Sequence, residues 1–162
     1  MPIYMNYQAP TPITGDVTET SHTGWIELNS LQWGVGRSIS MATGSVADQS
    51  PSTPSFSEIV VTKDNDATSY QLLQQAYQGT GVTVVIDFVR TPAGGSPVTY
   101  LEITLTNGMI SGYSTSSGGD APSESLTISY TAIQYTYTPT TSDGSMGTPA
   151  GVSYDLGSCT MS

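Results

Sequence analysis

Apolar and polar residues alternate along several stretches of the chain, with the two-residue period of a β-strand that buries one face. The clearest stretch is 82–90, VTVVIDFVR, in which four apolar residues fall on the same face: Val82, Val84, Ile86 and Phe88. Residues 98–106, VTYLEITLT, alternate in the same way, and the segment 91–97 between the two stretches contains two prolines and two glycines. This order predicts a β-hairpin with a loop of several residues.

Two further stretches change phase part of the way along. In 26–35 the apolar residues move from even to odd positions near 29–30, and in 126–137 they do so near 131–132. A β-bulge at each point accounts for the change, because one extra residue shifts the alternation and bends the strand. Bent strands close sheets, so the sequence predicts a mainly β fold, either a small closed β-barrel or a curved two-sheet barrel.

The predicted core of this barrel consists of the apolar residues on the inward face of each stretch. If Trp33 is fully buried there, its replacement by alanine is expected to cost roughly 3–5 kcal/mol. The core set is Ile26, Leu28, Leu31, Trp33, Val84, Ile86, Phe88, Leu101, Ile103, Leu105, Leu126, Ile128 and Tyr130.

One segment, about 66–78, has helical rather than strand periodicity. Its apolar stripe is formed by four residues at spacings of three, three and one: Tyr70, Leu73, Ala76 and Tyr77. Asp66 or Thr68 is suited to cap the start of a helix, and Gly79 is suited to end it. The pattern predicts a single α-helix that flanks the barrel.

The segment of about 38–55 has no periodicity of either kind. Loops longer than about 12–15 residues are uncommon inside compact domains and usually have a function. The sequence therefore predicts a long extended loop between the strand that ends at Arg37 and the strand that begins near Phe56.

Length and charge narrow the function classes. A chain of 162 residues is expected to form one domain, 1–162. Its net charge of -10 argues against binding to nucleic acid or to an anionic membrane surface, because both would repel it. The start, MPIYMN, lacks the pattern of a cleaved secretory signal, and no apolar run is long enough to span a bilayer.

The inventory of reactive residues is small. One histidine, His22, and one cysteine, Cys159, cannot supply the ligand set of a zinc site, and neither a nucleophile elbow nor a phosphate-binding loop is present. His22 is interpreted as a solvated residue of a polar turn. The sequence predicts no catalytic residue, no metal and no cofactor, and an enzyme is the least favoured class.

Short motifs follow one another in a fixed order along nearly the whole chain. They are GDV at 15–17, IEL at 26–28, LQWG at 31–34, FSEIVVTK at 56–63, DATS at 66–69, YLEITL at 100–105, ESLTISY at 124–130 and YTP at 137–139. This series, with the long loop after LQWG, resembles the Hcp family, the haemolysin-coregulated tube proteins of type VI secretion.

The resemblance implies a structural subunit that forms hexameric rings. Such rings stack into a hollow tube inside a contractile sheath, carry a spike protein at the tip and hold small effector proteins in the lumen. The implied location is the cytoplasm during assembly, followed by secretion without a cleaved signal. In this arrangement three residues of the long loop are expected to anchor it on the next ring, Ile39, Met41 and Val46, and Gln32 is the candidate lumen-facing residue.

Two other readings stay open on the sequence. A tail-tube protein from a phage or a phage-like contractile particle would share the same assembly physics. A surface adhesin or pilin-like β-sandwich is the second alternative, and Lys63 is the only lysine that could form an isopeptide bond in it.

Overall fold

The computed structural model describes residues 1–40, 44 and 50–162, so the predicted anchors Met41 and Val46 lie outside the described residues. The fold is mainly β, with 48% of the described residues in strands and 7% in one α-helix. This confirms the fold class. The strands are β1 Ile3–Tyr7, β2 Ile26–Leu28, β3 Ser30–Gln32, β4 Val35–Gly36, β5 Ile39–Ser40, β6 Ser50–Pro51, β7 Ser55–Phe56, β8 Ile59–Asp64, β9 Val82–Arg90, β10 Val98–Ser116, β11 Ser123–Ser129, β12 Ala132–Tyr137, β13 Ala150–Asp155 and β14 Thr160–Met161, and the helix is α1 Ser69–Gln78.

The longest strand, β10, joins two parts of the main sheet. Its first part pairs antiparallel with β9 on one side and with β12 on the other, and its second part pairs with β11. The register against β9 shifts between Leu105 and Gly108. Asn107, between them, has a φ of 55°, a left-handed conformation that asparagine tolerates better than most residues. The bend at Asn107 lets one strand serve both parts.

The strands follow a hydrogen-bonded path in the order β3, β8, β11, β10, β9, β1 and β2. The two ends of this path are consecutive in sequence and meet at Asn29, whose N–H donates to the Thr62 carbonyl at 2.7 Å. Among the described strands no ladder joins β2 to β3, so the chain itself links the ends of the path at this point.

The two predicted bulges are corners between pairings. Before the corner at 29–30, β2 pairs with β1, and after it β3 pairs with β8. Before the corner at 130–131, β11 pairs with β8 and with the second part of β10. After that corner, β12 pairs with the first part of β10 and with β13. A strand that changes partners must also change the face it buries. The phase changes in the sequence therefore marked the right positions, although the structural event differs from a simple inserted residue.

The core lies between these strands. Nine of the thirteen expected core residues are buried: Ile26, Leu28, Val84, Ile86, Ile103, Leu105, Leu126, Ile128 and Tyr130. Leu31, Trp33 and Phe88 are half-buried and pack against the cluster, and Leu101 is also half-buried. Burying each aliphatic side chain contributes about 1.5–3 kcal/mol, so the fully buried strand positions dominate the stability.

The alternation in β9 fails near its end. Asp87 and Val89 are buried, whereas Phe88, which the pattern placed inside, is half-exposed. The cause is a register shift in the partner strand, because β10 has one extra residue between Thr99 and Leu101 opposite Val89 and Phe88. Such a bulge is a property of the pairing and leaves no mark on the sequence of β9 itself.

The helix begins at Ser69 and ends at Gln78, and Gly79 stops it in a left-handed conformation with φ 65°, as predicted. The expected apolar stripe is wrong. The buried residues are Ser69, Leu72 and Gln75, whereas Tyr70 and Tyr77 are 69% and 80% exposed. Polar contacts at the start of the helix select this face, as described below.

Candidate assembly surfaces

The predicted long loop is an arm of two short antiparallel ladders. β4 pairs with β7 and β5 pairs with β6, so the segment runs out from the body and returns beside itself. Serine side chains and backbone groups reinforce the pairing: the Ser52 N–H donates to the Ser38 carbonyl at 2.9 Å, and the Gly34 N–H donates to Ser57 Oγ at 2.8 Å. In the part of the chain that the structure describes, these ladders are separate from the ten-stranded sheet.

The arm exposes apolar side chains. Val35 is 55% exposed at its base, and Ile39, one of the three predicted anchors, is 49% exposed. Arg37 is the one charged residue in the described part of the arm, because residues 38–40 and 50–56 carry no charge. An extension that exposes apolar side chains and carries a single charge in its described part is suited to contact another protein surface.

Aromatic pairs brace the base of the arm against the sheet. The rings of Phe56 on β7 and Tyr154 on β13 lie 4.8 Å apart, and those of Trp33 and Tyr135 lie 6.5 Å apart. Between them is an open apolar groove of about 190 Å³, which also reaches Met161 on the terminal strand. The groove joins the arm to β12, β13 and β14 in one continuous surface, so displacement of the arm would alter the groove as well.

Tyr130 fastens the other side of the arm base. Its hydroxyl donates to the Ser57 carbonyl at 2.7 Å, one residue after β7. Burial, with a smaller contribution from the nearby Glu58 carboxylate, raises the pKa of Tyr130 to about 12. The tyrosine therefore stays neutral and keeps its donor under ordinary conditions.

Gln32, the candidate lumen residue, is exposed on β3, which pairs only with β8 among the described strands. Its neighbours Leu31 and Trp33 are half-buried against the core, so Gln32 lies on the opposite face from them, as the alternation predicted. An open depression formed with Ser57, Glu58 and Val60 lies beside it. Nothing in a single chain assigns this face to a lumen.

A buried ion-pair network that sequence reasoning missed holds the helix to the sheet. Lys63 Nζ on β8 donates to Glu124 Oε2 and to Asp66 Oδ1, each at 2.9 Å, and both Lys63 and Glu124 side chains are inaccessible to solvent. It also lies 3.3 Å from Ser69 Oγ in the first turn of the helix. Ser69 is buried at this contact and Leu72 is fully buried in the core on the same face of the helix, so Tyr70 faces outward.

Both acidic members of this network are stabilised as carboxylates. Burial alone would raise the pKa of Glu124, but hydrogen bonds from Tyr113 and Lys63 outweigh it and lower the pKa. Burial alone would also raise the pKa of Asp66, but hydrogen bonds from Thr68 and Lys63 outweigh it and lower the pKa. The network is therefore charged at neutral pH, with each charge partnered.

His22 is also placed differently from its sequence interpretation. It was expected in a solvated turn, yet it is only 4% exposed and lies between the carboxylates of Glu19 and Asp87. The rings of Tyr4 and Trp25 pack on either side, at 5.1 and 4.7 Å. The partner Asp87 is 65 residues away in sequence, so no local signal indicated this contact.

The charged members of the two clusters are four carboxylates, one lysine and one histidine, all among the residues described. There, no group of three or more histidine, cysteine, aspartate or glutamate side chains is placed to hold a metal ion. Over the same residues, no helix combines the length and the apolar content that a membrane span would need.

The fold is that of solved type VI secretion proteins. A structure described as that of a type six secretion system protein is 22% identical, with 99% of each chain covered and a TM-score of 0.87. Hcp1 from Salmonella typhimurium is 20% identical over 99% of this chain and 98% of its own, with a TM-score of 0.75. A type VI secretion system effector from Yersinia pestis is 18% identical, with 94% and 98% covered and a TM-score of 0.70.

The family follows from the sequence itself. Residues 4–137 match the family model described as "Type VI secretion system effector, Hcp", and the chain belongs to the Hcp family. This membership supports a type VI secretion tube protein, in a family of generally non-enzymatic structural proteins whose members are secreted by that system. No curated protein sequence matches the chain.

Proposed function

We propose that this chain, as one domain over residues 1–162, is the repeating subunit of a type VI secretion inner tube. Copies form hexameric rings, and the rings stack into a hollow tube that carries small effector proteins. The tube assembles in the cytoplasm, inside a contractile sheath and behind a spike protein, and is then exported. The observation that carries this proposal is the arm, which presents Ile39 and Val35 to solvent outside the main sheet.

Ring formation requires one surface of the chain to meet a different surface of the next copy, with a rotation that closes. The chain has suitable unlike surfaces. One is the arm with its apolar groove, which includes β14, and another is the edge strand β2, whose one ladder partner among the described strands is β1. Burial of strand edges in a ring would also protect them from unwanted pairing.

Stacking is assigned to the distal part of the arm. Ile39 lies on β5, further along the arm than the Phe56–Tyr154 brace. Together with Met41 and Val46 it supplies the apolar contacts to the next ring in this proposal. Burying an aliphatic side chain of this size contributes about 1.5–3 kcal/mol, which six-fold repetition multiplies.

The test compares two charge insertions at adjacent positions of the arm. Ile39→Asp removes an apolar contact and adds a charge, whereas Ser38→Asp adds the same charge at an exposed position without removing an apolar group. Negative-stain electron microscopy and sedimentation are expected to show rings for both variants, with stacks for wild type and Ser38→Asp only. Wild-type protein that stays monomeric at high concentration, without annular particles, would overturn the proposal.

Cargo binding is assigned to the face that carries Gln32. Gln32→Arg is expected to leave the ring intact and to weaken co-purification of a small effector from the same secretion system. Gln134→Arg is the matched control, since Gln134 is also exposed on a strand, at β12. Loss of rings with Gln32→Arg, or equal cargo loss with Gln134→Arg, would contradict the lumen assignment.

A further inference from the structure

His22 joins a loop to the sheet through both of its ring nitrogens. Nδ1 lies 2.5 Å from Oε2 of Glu19 in the same loop, and Nε2 lies 2.9 Å from Oδ2 of Asp87 on β9. The Thr99 hydroxyl on β10 donates to the same Asp87 oxygen at 3.2 Å. A carboxylate only accepts hydrogen bonds, so both contacts require a proton on each ring nitrogen.

The neutral imidazole fits this site poorly. It carries one N–H, so one of its nitrogens would direct a lone pair at a carboxylate oxygen less than 3 Å away. That arrangement is repulsive, and the Thr99 hydroxyl, which lies 3.4 Å from His22 Nε2 and 3.2 Å from Asp87 Oδ2, has one proton and can serve only one of these two atoms. Asp87 would suffer most, because its other oxygen, Oδ1, is already buried without a hydrogen-bond partner.

Besides the rings of Tyr4 and Trp25, the surroundings of His22 include several acidic groups. No lysine or arginine takes part in the hydrogen bonds or ion pairs of His22 and its two partners among the described residues. The titratable groups that face the histidine or its partners come from the loop, β1, β2, β9 and β10: Glu19, Tyr4, Glu27, Asp87 and Glu102. Loss of the imidazolium charge would therefore leave these acidic groups facing one another.

We propose that this cluster is a pH-sensitive clasp, which holds the loop 15–25 on the sheet while His22 carries both ring protons and loosens the loop when one is lost. The loop has few other fastenings to β9. Its own hydrogen bonds are internal, from the Gly15 N–H to the Gly24 carbonyl at 2.7 Å and from the Gly24 N–H to the Val17 carbonyl at 2.8 Å.

The direction of the pH dependence follows from the shift in the pKa of His22. Burial alone would lower the pKa of His22, but hydrogen bonds and charge from Glu19 and Asp87 outweigh it and raise the pKa. A raised pKa stabilises the closed loop below the pKa of an unfolded histidine, about 6.5, and the contribution is lost as pH rises through the folded value.

Glu19 sets the acidic limit of the pH range in which the loop is held closed. Its hydrogen bond to His22 lowers its pKa, so its contribution is present above the ordinary carboxyl range and is lost as pH falls through the folded value. The clasp is therefore closed at pH values between the folded-state pKa of Glu19 and that of His22, and it opens outside this range. A single histidine that links two carboxylates produces this two-sided behaviour without any movement of the core.

The single histidine makes the test direct. The full chain in its native assembly state, labelled at the histidine ring carbons, has one ring resonance to follow by NMR from pH 5 to 9.5. Hydrogen exchange of the Gly15 and Gly24 amides, corrected for the intrinsic rate, reports loop opening. We expect both signals to change with a common midpoint above 6.5, and each pH unit between 6.5 and that midpoint corresponds to about a tenfold change in the opening equilibrium.

Two variants complete the experiment. His22→Gln is expected to make the exchange of the two amides independent of pH between 6 and 9. Cys159→Ser removes the exposed thiol and is expected to leave the midpoint unchanged. The proposal is overturned if the wild-type histidine does not titrate over this range, or if it titrates while the loop exchange shows no matching change.

Discussion

Replacing Lys63 with methionine tests how strongly the buried ion pair holds the helix against the sheet. Methionine is similar in length and has no charge, so the substitution removes the ammonium and keeps most of the volume. In the wild-type chain the ammonium lies within 3.3 Å of four oxygens, belonging to Asp64, Asp66, Ser69 and Glu124. The variant leaves all four without this donor.

The magnitude follows from the burial of Glu124. Its side chain is inaccessible to solvent, and without Lys63 its remaining donors are Asn65 and the Tyr113 hydroxyl, at 2.8 and 2.6 Å. Removing one partner of a buried pair leaves an uncompensated charge and costs about 3–5 kcal/mol. We expect the free energy of unfolding of Lys63→Met to fall by that amount at neutral pH.

The second variant, Glu124→Gln, completes a double-mutant cycle. Glutamine keeps an oxygen for Asn65 and Tyr113 but carries no charge, so the double variant has no unpaired buried carboxylate at this position. We expect it to be more stable than Lys63→Met alone, with a coupling energy of about 0.5–3 kcal/mol. The assay is urea unfolding followed by tryptophan fluorescence at one fixed subunit concentration, because assembly also contributes to stability.

The pH dependence gives a separate check. The pKa of Glu124 is lowered in the wild-type chain, so its contribution to stability is present above the ordinary carboxyl range and is lost as pH falls through the folded value. Protonation also relieves the unpaired charge in Lys63→Met, so the difference between the two proteins should narrow on acidification. A loss below about 1 kcal/mol at neutral pH, or a double variant no more stable than the single one, would refute the reasoning.

Three further predictions follow from packing and charge. Gly15→Ala would place a methyl group 2.1 Å from the Trp25 carbonyl oxygen and is expected to cost about 1–3 kcal/mol in urea unfolding. The control Gly34→Ala, with open space around the added methyl group, should stay within about 0.5 kcal/mol of wild type. Equal losses of stability in the two variants would contradict a clash between the Gly15 position and the Trp25 carbonyl oxygen. Phe56→Ala and Tyr154→Ala should show a coupling of about 0.5–1.5 kcal/mol in a double-mutant cycle, whereas strict additivity would show that the rings do not interact. Self-association should strengthen between about 0.01 and 0.15 M salt in sedimentation experiments, because screening reduces repulsion between chains of charge -10, and weakening would contradict this.

The central strands were predictable because each buries one face against a common core. The hairpin of β9 and β10 and its intervening loop lie where the alternation placed them. The corners at 29–30 and 130–131 were visible for the same reason, since a change of partner reverses the buried face. The alternation does not show which strand is the partner. The sequence therefore did not predict that Phe88 is only half-buried, because this depends on a bulge in β10.

The helix shows the limit of apolar periodicity. In the predicted stripe, Tyr70 and Tyr77 are exposed, whereas Leu73 is half-buried and Ala76 packs against the core. The buried face contains Ser69, Leu72 and Gln75, with Leu72 in the core and Ser69 in contact with Lys63. A contact from another strand thus overrides the local preference, and a single sequence contains no record of it.

The arm was predictable in position but not in form. Its ladders are only two residues long on each side and consist largely of serine, glycine and proline, which have low strand propensity. Their pairing depends on the braced base, where Phe56 meets Tyr154 from nearly 100 positions further along the chain. Short strands held by distant contacts give no alternation long enough to detect.

The distribution of basic residues links the fold to assembly. The chain has three lysines and arginines and one histidine, and two of these four side chains, Lys63 and His22, are buried in the contacts that fasten the helix and the loop. Only Arg37 and Arg90 remain to balance the acidic surface. Copies of such a chain repel one another at long range, so a stable contact between them must come from uncharged surface. The sequence of residues 38–47 contains no charged residue, which is why the proposed stacking contact is placed there and not on an ion pair.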